Sequence, residues 1–231
     1  MYNFLFFIIF VIVLFVIFII AKHLFGTSAL FVLGIGCVIG ANLYNANDFP
    51  IQVGNLVFGI DSIVYTVFVF SILLAYIDYG NKLMKEVLYC SAGSILLTAL
   101  LALSGNFFQV GLTDSVLLNF FYYFFSLIGT LAAIYLMIYV YKKLENKINI
   151  YLNIAIALVI ASIINSAVYF GLSFIMVGGL GGAFLQTLVG SYIGKTISLC
   201  FCLVAFYILN LIKQKNIVKT EKDNNKVLNK D

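Results

Sequence analysis

Tyr2–Ala21 reads YNFLFFIIFVIVLFVIFIIA and is followed by Lys22 and His23. A helix rises about 1.5 Å per residue, so crossing the roughly 30 Å hydrocarbon core of a bilayer takes about 20 apolar residues. This run supplies them without one charged side chain. No positive segment precedes it and no small-residue cleavage site follows it. It therefore reads as a membrane span, not a secretory signal.

Working outward from that run, six further apolar stretches of spanning length follow, over residues 25–43, 56–77, 87–103, 116–141, 149–174 and 184–212. The composition demands a lipid solvent. Of the 231 residues, 64% are hydrophobic and 10% charged. Soluble domains hold about 45–50% apolar and about 25% charged residues. The sequence thus predicts an all-α, polytopic transmembrane bundle of about seven spans. Residues 1–24 form an extra N-terminal helix, residues 25–212 a six-helix core, and residues 213–231 a lysine-rich tail expected to be disordered.

Orientation comes from the lysines, since the chain has no arginine. Lys22 follows the first span. Lys82 and Lys85 follow the third. Lys142, Lys143 and Lys147 follow the fifth, and Lys213 to Lys230 fill the tail after the seventh. The other three connections carry no lysine, only Asp48 and Asp114. Cytoplasmic loops retain positive charge. Seven spans put every lysine-bearing connection on one side, with the N-terminus outside and the C-terminus inside; six or eight would break the alternation. The net charge of +4 is then a topology signal, and no nucleic-acid partner is expected. The expected location is a bacterial cytoplasmic (cell inner) membrane.

Small residues mark places where helices can approach closely in lipid. Gly36 and Gly40 form one GxxxG spacing, Gly190 and Gly194 another. Gly178, Gly179, Gly181 and Gly182 read as a tight turn in the last outer connection, with a moving lid over an outer cavity as the alternative. The cysteines (Cys37, Cys90, Cys200 and Cys202) lie in or beside apolar segments, lack metal-ligand spacing, and read as small core residues.

Within lipid, an ionisable side chain is the informative anomaly. A charge at the bilayer centre costs at least about 2.5–3.5 kcal/mol unless it is paired or faces water. Asp61 in the third span and Lys195 in the seventh are the two such residues. On these boundaries Asp61 lies roughly 8 Å, and Lys195 roughly 5 Å, to the outer side of its span's midpoint. Asn165 falls in the same outer half of the sixth span, with Ser162 and Ser166 beside it. Tyr65 and Tyr169 add hydroxyls. Together Lys195, Asn165, Asp61, Ser162, Ser166, Tyr65 and Tyr169 outline a polar pocket open to the outside. The plain alternative is an interfacial Asp61 and interhelical hydrogen bonding by the others.

No H-E-x-x-H, G-x-S-x-G or P-loop occurs, and the one histidine, His23, stands at a helix end. No enzyme chemistry, cofactor or metal is expected, and an intramembrane enzyme is the weakest reading.

Three stretches carry a resemblance: Leu73 to Gly80 (LLAYIDYG) with Lys82, Ala161 to Phe174 (ASIINSAVYFGLSF), and Gly190 to Lys195 (GSYIGK). They resemble, in order and spacing from residue 56 to residue 212, the VUT family of vitamin-uptake and queuosine-precursor transporters and the related membrane sensor modules. The family's acidic pair is replaced here by Leu73 and Ile77, and Asn165 stands where an aspartate is usual. The resemblance implies a small-molecule uptake protein, like a VUT transporter or the substrate-binding subunit of an energy-coupling-factor system. Its ligand would be small and polar or anionic. Its partners, besides the bilayer, would be ATPase and coupling subunits. The sensor modules imply a second reading, a sensor or scaffold acting through a separate signalling protein.

Overall fold

The structure, a computed structural model, describes residues 2–27, 51–53, 56–58, 60–110, 114–177 and 182–228, and residues 29, 32, 34 and 36 singly. In chain order its elements are α1 (Tyr2–Phe25), β1 (Ile51–Val53), β2 (Leu56–Phe58), α2 (Ile60–Val110), α3 (Asp114–Leu144), α4 (Ile150–Val177) and α5 (Gly182–Leu228). Every long element is helical. A helix satisfies its own backbone polar groups, which a lipid solvent requires.

Five stretches are long and apolar enough to cross a membrane: Ile8–Phe25, Ser62–Asn81, Phe124–Leu144, Ile150–Met176 and Gln186–Lys215. They make the chain a helical, multi-pass membrane protein, and they correspond to the first, third, fifth, sixth and seventh predicted spans. The predicted second span lies mostly outside the described residues. The predicted fourth falls in the second arm of α2, where the apolar helical stretch among the described residues is Leu88–Leu97, shorter than a crossing.

Three boundaries differ from the sequence reading. The third span begins at Ile60, because Leu56–Phe58 pairs antiparallel with Ile51–Val53 in the register Ile51↔Phe58, Gln52↔Val57 and Val53↔Leu56. β-branched and apolar residues on either side of Gly54-Asn55 favour that hairpin over an extra helical turn. The second difference lies inside α2, which is two helices merged across Gly80 (φ 71°, ψ −161°). That left-handed φ costs glycine little. Finally, α5 does not stop at Lys213 but continues to Leu228. Residues 213–228 contain neither glycine nor proline, so nothing halts propagation once the membrane segment has nucleated the helix.

The first arm of α2 is the axis of the bundle. Ile63, Val64, Val67, Phe68, Val69, Phe70, Ile72, Leu73, Leu74 and Ala75 are all buried. A helix buried all round belongs at the centre. Around it, α3 packs against α2 and along α4, and α5 packs against α1, α2 and α4. β1 lies against α1, and β2 against α5. Helices α3 and α4 form an antiparallel pair whose turn holds Asn146 at φ 63°, a conformation asparagine tolerates. Asn149 caps α4: its Oδ1 accepts from the Tyr151 backbone N–H at 2.9 Å. Asn153 Nδ2 donates to the carbonyl of Tyr141 at 3.0 Å, serving a last-turn acceptor of α3 that its own helix leaves short.

The glycine spacings divide. A Cβ on Gly36 would meet nothing within 4 Å, whereas one on Gly34 would lie 3.1 Å from the Phe68 ring. Gly34, not Gly36, marks the close approach to α2. Gly190 and Gly194 are both buried. Of the cysteines, Cys202 is buried, while Cys90 and Cys200 face outward. Cys37, and residues 178–181 of the glycine-rich connection, lie outside the described residues.

Candidate functional site

Lys195 sits in α5 and is only 4% exposed. On the Gln186–Lys215 stretch it lies about 8 Å from the midpoint, inside the hydrocarbon layer. Its ammonium donates to Asn165 Oδ1 at 2.9 Å and to Ser166 Oγ at 2.7 Å, both on α4. It also stands over the Tyr65 ring of α2, 5.0 Å from the centroid. A charge-assisted hydrogen bond contributes about 1.5–3 kcal/mol, and a desolvated cation–π contact about 2 kcal/mol. Together these three contacts offset the cost of placing a cation in the hydrocarbon, which is at least about 2.5–3.5 kcal/mol at its centre. Two neutral oxygens and an aromatic face, drawn from two other helices, thus take part in holding the ammonium.

The surrounding backbone is shaped to bring those helices close. A Cβ added at Gly129 of α3 would lie 3.2 Å from Asn165 Nδ2 and 3.2 Å from the Asn165 carbonyl oxygen. Only glycine lets α3 press on Asn165 at that distance. One turn from Lys195, Ser62 of α2 donates to Ser191 Oγ of α5 at 3.0 Å, and both serines are buried. Other buried hydroxyls turn back to their own helix: Thr66 donates to the Ser62 carbonyl and Ser198 to that of Gly194. Such bonds satisfy a buried hydroxyl without another element.

The seven residues singled out from the sequence do not all meet. Lys195, Asn165, Ser166 and Tyr65 form the contact cluster. Ser162 is buried one turn along α4 from Ser166, on the same face by spacing. Tyr169 occupies that face a turn beyond Asn165; its ring packs with Phe170 and Tyr122, at 5.2 and 6.5 Å between centroids. Asp61 stands in the first turn of α2, one residue before the Ser62–Asn81 stretch, about 16 Å from that stretch's midpoint. That is further out than the span boundaries drawn from sequence place it, because the helix starts at Ile60. Its side chain lies outside the described residues. By register Asp61 is one turn from Tyr65, on the same face of α2.

Four contributors escaped the sequence reading. Gly129, Ser62 and Ser191 are among them. So is Ser173, which is 7% exposed and whose Oγ has no hydrogen-bond partner among the described residues. Ser162, Asn165, Ser166, Tyr169 and Ser173 follow one another at helical spacing along α4. That stripe was available in the sequence as a polar line on an otherwise apolar helix. Gly129 carried no such signal. Among the described residues, no three His, Cys, Asp or Glu side chains gather as metal ligands would. The chain matches no protein-family model, no curated protein and no solved structure.

Proposed function

We propose that the chain is an integral membrane protein that binds a small polar or anionic molecule for uptake, after the manner of the VUT transporters or an energy-coupling-factor substrate-binding subunit. The observation that carries the reading is Lys195, buried in the bundle and held by Asn165, Ser166 and the Tyr65 face. A chain that needed only an anchor would not keep an ammonium there, since a leucine is cheaper in lipid. In this reading Lys195 receives the ligand's anionic or polar group and Asn165 and Ser166 hold the ammonium in place. Ser162 and Tyr169 extend the polar face, and Asp61 supplies the counter-charge from the next helix. The lysine-bearing connections face the cytoplasm of a bacterium, and the polar half of the bundle faces out. The bundle performs no bond chemistry of its own; an ion gradient or ATPase and coupling subunits drive accumulation.

The experiment compares wild type with Lys195→Ala, both purified from membranes at matched expression, by untargeted mass spectrometry of co-purifying small molecules. A polar or anionic molecule retained by wild type and lost from the variant is the expected result. Identical profiles would reject the site.

A second reading, a sensor or scaffold module, draws on the continuation of α5 to Leu228, past the apolar stretch that ends at Lys215. That extension projects about 20 Å of helix beyond the span, enough to pass a movement to another protein. Affinity capture that returns a kinase or cyclase favours it; capture of ATPase subunits favours uptake.

A further inference from the structure

Helix α1 is fastened to the bundle by a single face. Val11, Phe15 and Phe18 are buried at spacings of four and three residues, and Lys22 continues the same line four residues on. Phe18 stacks on Phe70 of α2 with ring centroids 5.4 Å apart, and Phe15 stacks on Phe201 of α5 at 5.8 Å. The helix therefore lies across α2 and α5, the same two elements that Ser62, Ser191, Tyr65 and Lys195 join further along. Only 17% of its apolar window is buried, against 67% for the first arm of α2. It is the least buried of the five described spans, and its buried core residues are Val11, Phe15 and Phe18.

At its Lys22 end the attachment is ionic. Lys22 Nζ pairs with Asp78 Oδ2 on α2 and also contacts Thr27 Oγ1. Thr27 donates to the same carboxylate oxygen at 2.8 Å. The two charged side chains are 18% and 29% exposed and lie three residues from the ends of their apolar stretches, Ile8–Phe25 and Ser62–Asn81. An ion pair in that setting is weak compared with a fully buried one. The backbone changes direction just beyond each partner, at Gly26 (φ 74°) and Gly80 (φ 71°). A Cβ at either glycine would meet nothing within 4 Å, so neither is there to permit close packing. Gly26, directly after the last residue of α1, is placed to act as a hinge, a terminal residue that absorbs a dihedral change.

We propose that α1 is a releasable strap over the α2–α5 seam, with the Lys22–Asp78 ion pair as its clasp and Gly26 as its hinge. Release uncovers the end of the seam opposite the hairpin, while the Lys195 cluster stays assembled. That this end serves as the exit for a bound molecule rests on the uptake reading; the release of α1 does not.

The test is a distance measurement on the full chain in nanodiscs. Spin labels go on Leu24→Cys of α1 and Tyr139→Cys of α3, both outward-facing positions, in a background lacking the native cysteines. The intact pair gives one narrow distance distribution. Asp78→Asn, and separately Lys22→Gln, add a longer-distance population at least about fivefold above background, and the exchanged pair Lys22→Asp with Asp78→Lys restores the narrow distribution. An unchanged distribution in both single variants, or broadening that the exchange fails to reverse, overturns the strap. Lys195→Ala is run alongside and leaves the distribution narrow. A failed ligand site and a failed strap are thereby told apart.

Discussion

Lys195 of α5 and Asn165 of α4 meet across the bundle at 2.9 Å, ammonium to amide oxygen, in a place where both residues are almost fully buried. The contact fixes the orientation of the Asn165 amide, because Oδ1 must face the cation and Nδ2 must then face Gly129. One interhelical contact thus sets the donor pattern of the cluster, and it makes Lys195 and Gly129 mechanically linked although they do not touch.

Replacing Lys195 by methionine keeps most of the volume and removes the three donors. Asn165 Oδ1 and Ser166 Oγ are then left buried without the partner they have now, which costs about 1–3 kcal/mol. Thermal unfolding in detergent is expected to move down by a few degrees. Lys195→Arg does not rescue it, since a planar fork cannot fit a cradle that takes two hydrogen bonds and a ring contact from a point charge. A variant with wild-type stability and wild-type ligand content would show that the cradle has no role.

Gly129→Ala tests the linkage. Its new methyl group would come within 3.2 Å of two atoms of Asn165, tighter than ordinary packing allows, so α3 or Asn165 must shift. The expected loss is about 1–3 kcal/mol, as for other overpacked positions. Gly171→Ala, where a Cβ meets nothing within 4 Å, stays within about 0.5 kcal/mol of wild type. Equal melting shifts for the two would show that Asn165 is not clamped.

The seam between α2 and α5 can be locked at its hairpin end. Ser62 and Ser191 oxygens lie 3.0 Å apart, so a cysteine pair there needs only a small shift to reach disulfide geometry. Ser62→Cys with Ser191→Cys is expected to cross-link under mild oxidation and to show altered gel mobility reversed by reductant. Absence of the cross-link under conditions that oxidise a surface control pair would place the two helices in a different register.

The sequence made the solvent legible, and with it the helices. Tyr2–Ala21 has no alternative in water, and the buried line Val11, Phe15 and Phe18 is the one feature of that run composition hides, since every face of it is apolar. Lys195 and Asn165 were legible for the same reason: a charge or amide amid leucines costs enough to need an explanation. What stayed illegible depended on geometry between elements. Gly129 looks like any membrane glycine until Asn165 is seen against it. Lys22 read as a topology marker, and only the fold brings Asp78, 56 positions later, to its side. Leu56–Phe58 suited helix and strand alike, and the pairing with Ile51–Val53 decided between them.

Sidedness is the remaining expectation, and one experiment addresses it. The turn at Asn146 lies among Lys142, Lys143 and Lys147, while Gln52 sits in the hairpin at the lysine-free end. Positive charge retained in the cytoplasm places the first inside and the second outside. In intact cells, a membrane-impermeant maleimide should label Gln52→Cys and spare Asn146→Cys until the membrane is permeabilised. Both ends of α3 and α4 follow from that result, because the turn at Asn146 fixes them as an antiparallel pair. The reverse labelling would turn the polar half of the bundle toward the cytoplasm. The Lys195 cluster would then face export or sensing of an internal molecule, and the Lys22 clasp would guard the outer end.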